Sequence, residues 1–185
     1  MHSAILEAIR RRRSYFSFRP EPLSDEQMLN ILEAGLLSPS ASNNQPWRFH
    51  YALRGTAGFA LLLGCLDEGN QVWAKDAGAL VISAARVRYT YKDRKLDNPY
   101  AWHDTGLATS MILVQASSMG LESHPMGGFS REKAREVLHL DPDLEPVAAI
   151  AFGWAGDPGV LTPDLLKRQT SPRRLKPLDE VLQKI

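Results

Sequence analysis

Two short apolar runs constrain the fold most. Ala79-Leu-Val-Ile-Ser-Ala84 and Val147-Ala-Ala-Ile-Ala-Phe-Gly153 are continuous, short and largely aliphatic, so each predicts a buried strand. Between and around them the period changes. Ile5, Leu6 and Ile9 recur at helical spacing and predict a helix over 3–12. Ser24 followed by Gln27 is a capping-box pattern opening a helix that carries Met28, Ile31, Leu32 and Leu36 and stops before Pro39. Residues 48–54 alternate, with Phe49, Tyr51 and Leu53 on one face, and predict a strand. Further helices are expected over 57–66, 104–119 (closed by Gly120) and 130–138. Residues 88–103 are polar and aromatic, with a turn at Asn98-Pro99. From Asp157 on, Pro158, Pro163, Pro172 and Pro177 predict an extended tail. No Gly-x-Gly-x-x-Gly follows any expected strand, which argues against a dinucleotide-binding fold and for an α+β domain over 1–185.

Bulk properties narrow the function. The 185 residues suffice for one substantial core, and a net charge of +1 gives no reason to expect a nucleic-acid partner. The apolar stretch near 57–66 is broken by Gly58 and Gly64 and is too short to span a bilayer. The first residues are too short and mixed for a signal peptide, and a single cysteine, Cys65, fits a reducing compartment. The expectation is a cytoplasmic protein with no membrane partner. His2, His50, His103, His124 and His139 show no metal-ligand spacing, and Cys65 lies in an apolar helix. No grouping for hydrolysis is visible, so a bound cofactor must carry the chemistry.

Two polar segments suit such a ligand. Arg12-Arg13-Ser14 ends a run of four arginines, and residues 39–47 read Pro-Ser-Ala-Ser-Asn-Asn-Gln-Pro-Trp. Guanidinium groups bind phosphate bidentately and a hydroxyl adds a donor, while Ser40, Ser42 and their neighbours offer donors and acceptors to a heteroaromatic rim. A cationic run also suits a helix C-terminus. With Ser14 following and the polar loop downstream, Arg12 and Ser14 are assigned to phosphate, and Arg10 and Arg11 to solvent. Trp47 is read as structural, Asn43 as ordering its loop by side-chain to backbone bonds, and Gly69-Asn70 also suits an ordinary turn.

These segments, in this order, resemble the nitroreductase family of FMN-dependent oxidoreductases. So do the helix and its exit at Asp104-Thr-Gly-Leu-Ala108 through Gly120-Leu121, the loop His124-Pro-Met-Gly-Gly-Phe129, and the basic tail Arg173-Arg174-Leu-Lys-Pro177-Leu178. The likeness runs from about residue 5 to 182. It implies a central mixed β-sheet flanked by helices, built as an intertwined homodimer. It also implies FMN held by Arg12, Arg13, Ser14, Ser40, Ser42, Asn70, Pro125, Met126, Gly127, Gly128, Arg173 and Arg174. Tyr91, Tyr100 and Trp102 are candidate walls of a substrate pocket. Phe16 stands where many members, and Trp73 where some, have a basic residue near the flavin's pyrimidine edge, and Leu175 stands where relatives often have the second basic residue of the tail.

The implied activity is hydride transfer from NADH or NADPH through flavin N5 to an electron-poor small molecule (a nitroaromatic, quinone or enone) in a ping-pong cycle. The alternatives are dehydrogenation or dehalogenation of a small metabolite on the same fold, or a non-catalytic flavin-binding role.

Overall fold

The computed structural model describes residues 4–185. Residue 3, where the first expected helix begins, lies outside them, as does His2. The helices are α1 (Glu7–Arg11), α2 (Asp25–Leu36), α3 (Ala57–Cys65), α4 (Glu68–Ala74), α5 (Ala101–Ser118), α6 (Arg131–Val137), α7 (Pro163–Thr170) and α8 (Leu178–Val181). The strands are β1 (Trp47–Leu53), β2 (Ala79–Arg86), β3 (Arg88–Tyr91), β4 (Arg94–Asp97), β5 (Glu122–Met126) and β6 (Leu144–Gly153).

The two apolar runs become β2 and β6, the centre of a four-stranded sheet in the order β1-β2-β6-β5. Seven of the eight β2 residues are buried, as a strand covered on both faces requires. The α+β class holds, but the expected mixed sheet needs correction. Within the described residues every pairing between named strands is antiparallel, and the parallel contact is a single bridge between Ser14 and Ser123.

The core lies on both sides of this sheet. One side packs Phe16, Phe18, Phe59, Trp73, Leu80 and Ile82; the other packs Met28, Ile31, Val81, Ile112, Ile150 and Phe152. Helix α2 begins where its sequence promised: Ser24 Oγ accepts from Gln27 N, and Gln27 answers at Ser24 N. Helix α5 starts three residues earlier than expected. It buries Ala101, Thr105, Ala108, Ile112 and Ala116 at helical spacing, while Trp102 and Met111 are left 43% and 41% exposed in the single chain.

Three segments differ from their sequence reading. Residues 124–126 belong to a strand, β5, and not to a loop. Pro125 and the Gly pair signal a turn, but β5 is an edge strand of this sheet, where a missing N–H costs little. Gly69-Asn70 lies inside α4. The stretch after 157 is not wholly extended, because Thr162 caps α7 through Leu165 N, with Pro163 at the first helical position. Residues 88–97 form the β3–β4 hairpin, pinned by Asp143 to Arg88 (2.9 Å) and Lys95 (2.7 Å).

Candidate functional site

A cleft of about 650 Å³ draws on distant stretches of the chain. The segment after α1 contributes Arg12, Arg13, Ser14 and Phe16, and β5 contributes His124. Helix α7 brings Asp164, Lys167 and Arg168, and the residues beyond it bring Arg173 and Arg174. Six cations thus share the cleft with one carboxylate. Their crowding is already felt at Arg12, whose pKa is lowered by burial first and by repulsion from Arg173 second.

Specific bonds fold the tail onto this cleft. The Arg13 guanidinium donates to the Ser171 carbonyl, and the Arg173 guanidinium donates to the Arg12 carbonyl. Gln169, 8% exposed, accepts at Oε1 from Phe16 N (2.7 Å) and Ser17 N (3.0 Å) and donates from Nε2 to Ser17 Oγ (2.8 Å). The sequence-selected Arg12, Arg13, Ser14, Arg173 and Arg174 therefore meet. Lys167 and Arg168 join them unforeseen; the Thr162-Pro163 helix start was the signal that could have found them.

Beside the cleft, Phe16, Trp73 and His124 form an aromatic group with ring centroids 4.6–5.3 Å apart. His124 Nδ1 lies 2.7 Å from the Tyr15 carbonyl, which can only accept, so Nδ1 carries the proton and Nε2 is left as an acceptor. Burial is the main cause that lowers the His124 pKa, with Arg168 and Arg12 adding to it against the Tyr15 bond. The unfolded chain therefore takes up this proton first as pH falls below about 6.5, and stability drops through that window. His124→Gln should flatten the fall in urea midpoint as pH drops below about 6.5.

The 125–128 segment continues from there. The Met126 side chain packs into the core, only 4% exposed. Gly127 and Gly128 differ in kind. A Cβ on Gly127 would meet nothing within 4 Å, leaving its backbone open to a ligand, whereas one on Gly128 would lie 2.7 Å from Asn70 Nδ2 and 2.8 Å from Asp67 Oδ2. Asn70 Nδ2 donates to the Gly128 carbonyl (2.8 Å), so α4 and this segment are held together, and one Asn70 N–H is already committed. Asn70 keeps its Oδ1 and its second N–H for a ligand.

The polar loop is separate. Ser42 lies with Tyr91 and Tyr100 in a different cleft of about 620 Å³, and Ser40 and Ser42 do not line the cationic one. Trp102 lines neither cleft, and its ring is 5.9 Å from the Arg131 guanidinium, which also lies 5.6 Å from Phe129. The loop is strained: Ser42, Asn43 and Gln45 all have φ near +50°. Gln45 N donates to Ser40 Oγ (3.0 Å), and Gln45 Nε2 donates to Asn43 Oδ1 (2.9 Å). Asn43 thus orders the loop through a side chain and not, as read from sequence, through the backbone. Buried Asp104 on α5 accepts from Ala41 N (2.9 Å) and fixes the loop to the core. Asp104→Ala should cost about 2 kcal/mol in a denaturant titration, because Ala41 N loses a charge-assisted bond.

The fold thus gathers cations in one cleft beside β5, an edge strand of an antiparallel sheet, a donor set that suits an anion. The nitroreductase family model matches residues 9–57 and 60–154. A solved structure described as an oxidoreductase containing FMN superimposes with a TM-score of 0.95 at 31% identity, covering 100% of this chain and 93% of that one. A 4-nitrobenzoate reductase of Pseudomonas putida is 27% identical over 79% of this chain and 83% of its own length. An NADH dehydrogenase of Thermus thermophilus is 29% identical over 80% and 85%. The chain belongs to the nitroreductase family. Among the described residues no helix is long and apolar enough to cross a membrane, and no cluster of His, Cys, Asp or Glu could hold a metal ion.

Proposed function

We propose that this chain is an FMN-dependent oxidoreductase that moves hydride from NADH or NADPH to an electron-poor small molecule, working as a homodimer. The observation that carries this reading is the convergence of six cations and Ser14 on one cleft, with a single carboxylate among them. A phosphate monoester, bearing close to two negative charges, fits that donor set. Arg12, Arg13, Ser14, Arg173 and Arg174 would hold it. Gly127, open on its Cα face, and the uncommitted edge of Asn70 would meet the ring. FMN held there would supply the redox chemistry, two-electron hydride transfer between the nicotinamide and the second substrate.

The chain's own groups bind, orient and set charge. Neither Gly127 nor Gly128 brings an acidic side chain of its own, and the carboxylate beside Gly128 is that of Asp67. His124 lines the cationic cleft, and its Nε2, an acceptor, cannot deliver a proton while neutral.

The homodimer is supported by the split of the sequence-selected residues. Ser40 and Ser42 do not share a cleft with Arg12 in one copy, and a second copy can bring its loop to the first copy's cations. Leu6, Leu36 and Leu37, 68%, 56% and 81% exposed, add apolar surface that a partner would cover. The reading also favours the cytoplasm, where the lone Cys65 stays reduced.

The test is anaerobic. Adding NADH or NADPH should bleach the visible flavin bands, and a nitroaromatic or quinone should restore them with no ternary complex needed. A flavin that binds but is bleached by neither nucleotide contradicts the assignment.

A further inference from the structure

We propose that Arg168 supplies a positive charge beside the flavin ring, and that Gln169 is the residue that positions it. The proposal deepens the FMN reading and rests on it.

The Arg168 guanidinium carbon lies 4.7 Å from the centre of the Phe16 ring. A guanidinium resting its face on an aromatic ring keeps its N–H edges available. Among the described residues those edges have no hydrogen-bond or ion-pair partner, although the group is one residue from a heavily bonded position. That position is Gln169, whose side chain takes both the Phe16 and Ser17 N–H groups and gives a third bond to Ser17 Oγ. Helix α7 has eight residues, too few to be stable alone. The three bonds from Gln169 therefore set where Arg168 stands relative to Phe16.

Its place along the cleft separates it from the phosphate group of cations. The tail is tied at Arg12 and Arg13, through Arg173 and Ser171. Phe16 lies three residues beyond Arg13, about 10 Å of extended chain. The Phe16 ring packs on His124, the residue immediately before Pro125, Met126, Gly127 and Gly128. Arg168 thus stands between the phosphate cations and the segment assigned to the ring. The charged and titratable groups that share its cleft are Arg12, Arg13, Arg173, Arg174, Lys167, His124 and Asp164, and Asp164 makes no ion pair with it.

FMN gains negative charge on its ring when reduced, while its phosphate charge does not change. A cation at the ring end therefore favours the reduced form over the oxidised one. A cation at the phosphate end favours both equally.

The experiment is a spectroelectrochemical titration of the FMN-loaded protein and its variants, with Kd for oxidised FMN and for riboflavin measured by fluorescence quenching. Arg168→Met should weaken reduced FMN about tenfold relative to oxidised FMN, lowering the two-electron midpoint potential by about 30 mV, with the Kd for oxidised FMN changed less than about threefold. Arg168→Lys should recover most of the shift, and Gln169→Leu should reproduce it with Arg168 still present. An unchanged potential in Arg168→Met overturns the proposal. So does a loss of FMN affinity equal in both redox states with riboflavin unaffected, which would make Arg168 a phosphate ligand. Those results leave the FMN reading standing; a wild-type protein that binds no FMN removes both.

Discussion

Arg12→Ala weakens FMN binding about tenfold to a hundredfold and leaves riboflavin binding unchanged. The magnitude follows from losing one charge-assisted bond, roughly 1.5–3 kcal/mol. The specificity follows from riboflavin having no phosphate. Arg12 is the cation to choose because it is half-buried and its charge is already disfavoured by desolvation and by Arg173. An anion in the cleft relieves both costs. Exposed arginines such as Arg174 are hydrated without a ligand and should contribute less. Raising salt should weaken the wild type more than the variant, since the variant has one cation fewer. Isothermal titration with both flavins gives the comparison directly.

Gly156→Ala is expected to be the most damaging small substitution outside the core. A Cβ there would lie 2.5 Å from the Phe18 carbonyl carbon and 2.6 Å from its oxygen. Neither chain can retreat easily. Gly156 N donates to Ser17 O (3.0 Å), Arg19 N donates to Trp154 O (3.0 Å), and Phe18 bridges Ala155. Overpacking against fixed backbone costs about 3 kcal/mol, or about 6–12 °C of Tm for a domain of this size. The same clash pushes on the segment 16–18, which carries Phe16 into the cleft and Ser17 onto Gln169, so FMN affinity should fall with stability. Gly64→Ala is the matched control. Its Cβ meets nothing within 4 Å on an exposed helix face, and it should stabilise by up to about 1 kcal/mol. Thermal denaturation of the two variants separates the cases.

What the sequence made legible was local. The Ser24–Gln27 box, the two apolar strands and the Arg12–Ser14 cluster each announce themselves within a few residues. What it hid depends on tertiary placement. Pro125 reads as a loop until β5 is seen to be an edge strand. Gly69-Asn70 reads as a turn until α4 packs it against Gly128. The four prolines after 157 read as an extended tail, although Pro163 behind Thr162 opens a helix. That misreading concealed Lys167, Arg168 and Gln169 together. The β3–β4 hairpin was hidden because its tip uses Lys92 and Asp93 at positive φ, where glycine or asparagine is the usual signal.

The central claim is a flavin site completed by two copies of one chain. Native mass spectrometry of the purified protein tests it in one spectrum. The account predicts a mass of two chains with two FMN molecules, losing flavin in the Arg12→Ala variant before the chains separate. A single chain carrying one FMN, or a pair of chains that takes up none when FMN is added, would contradict it.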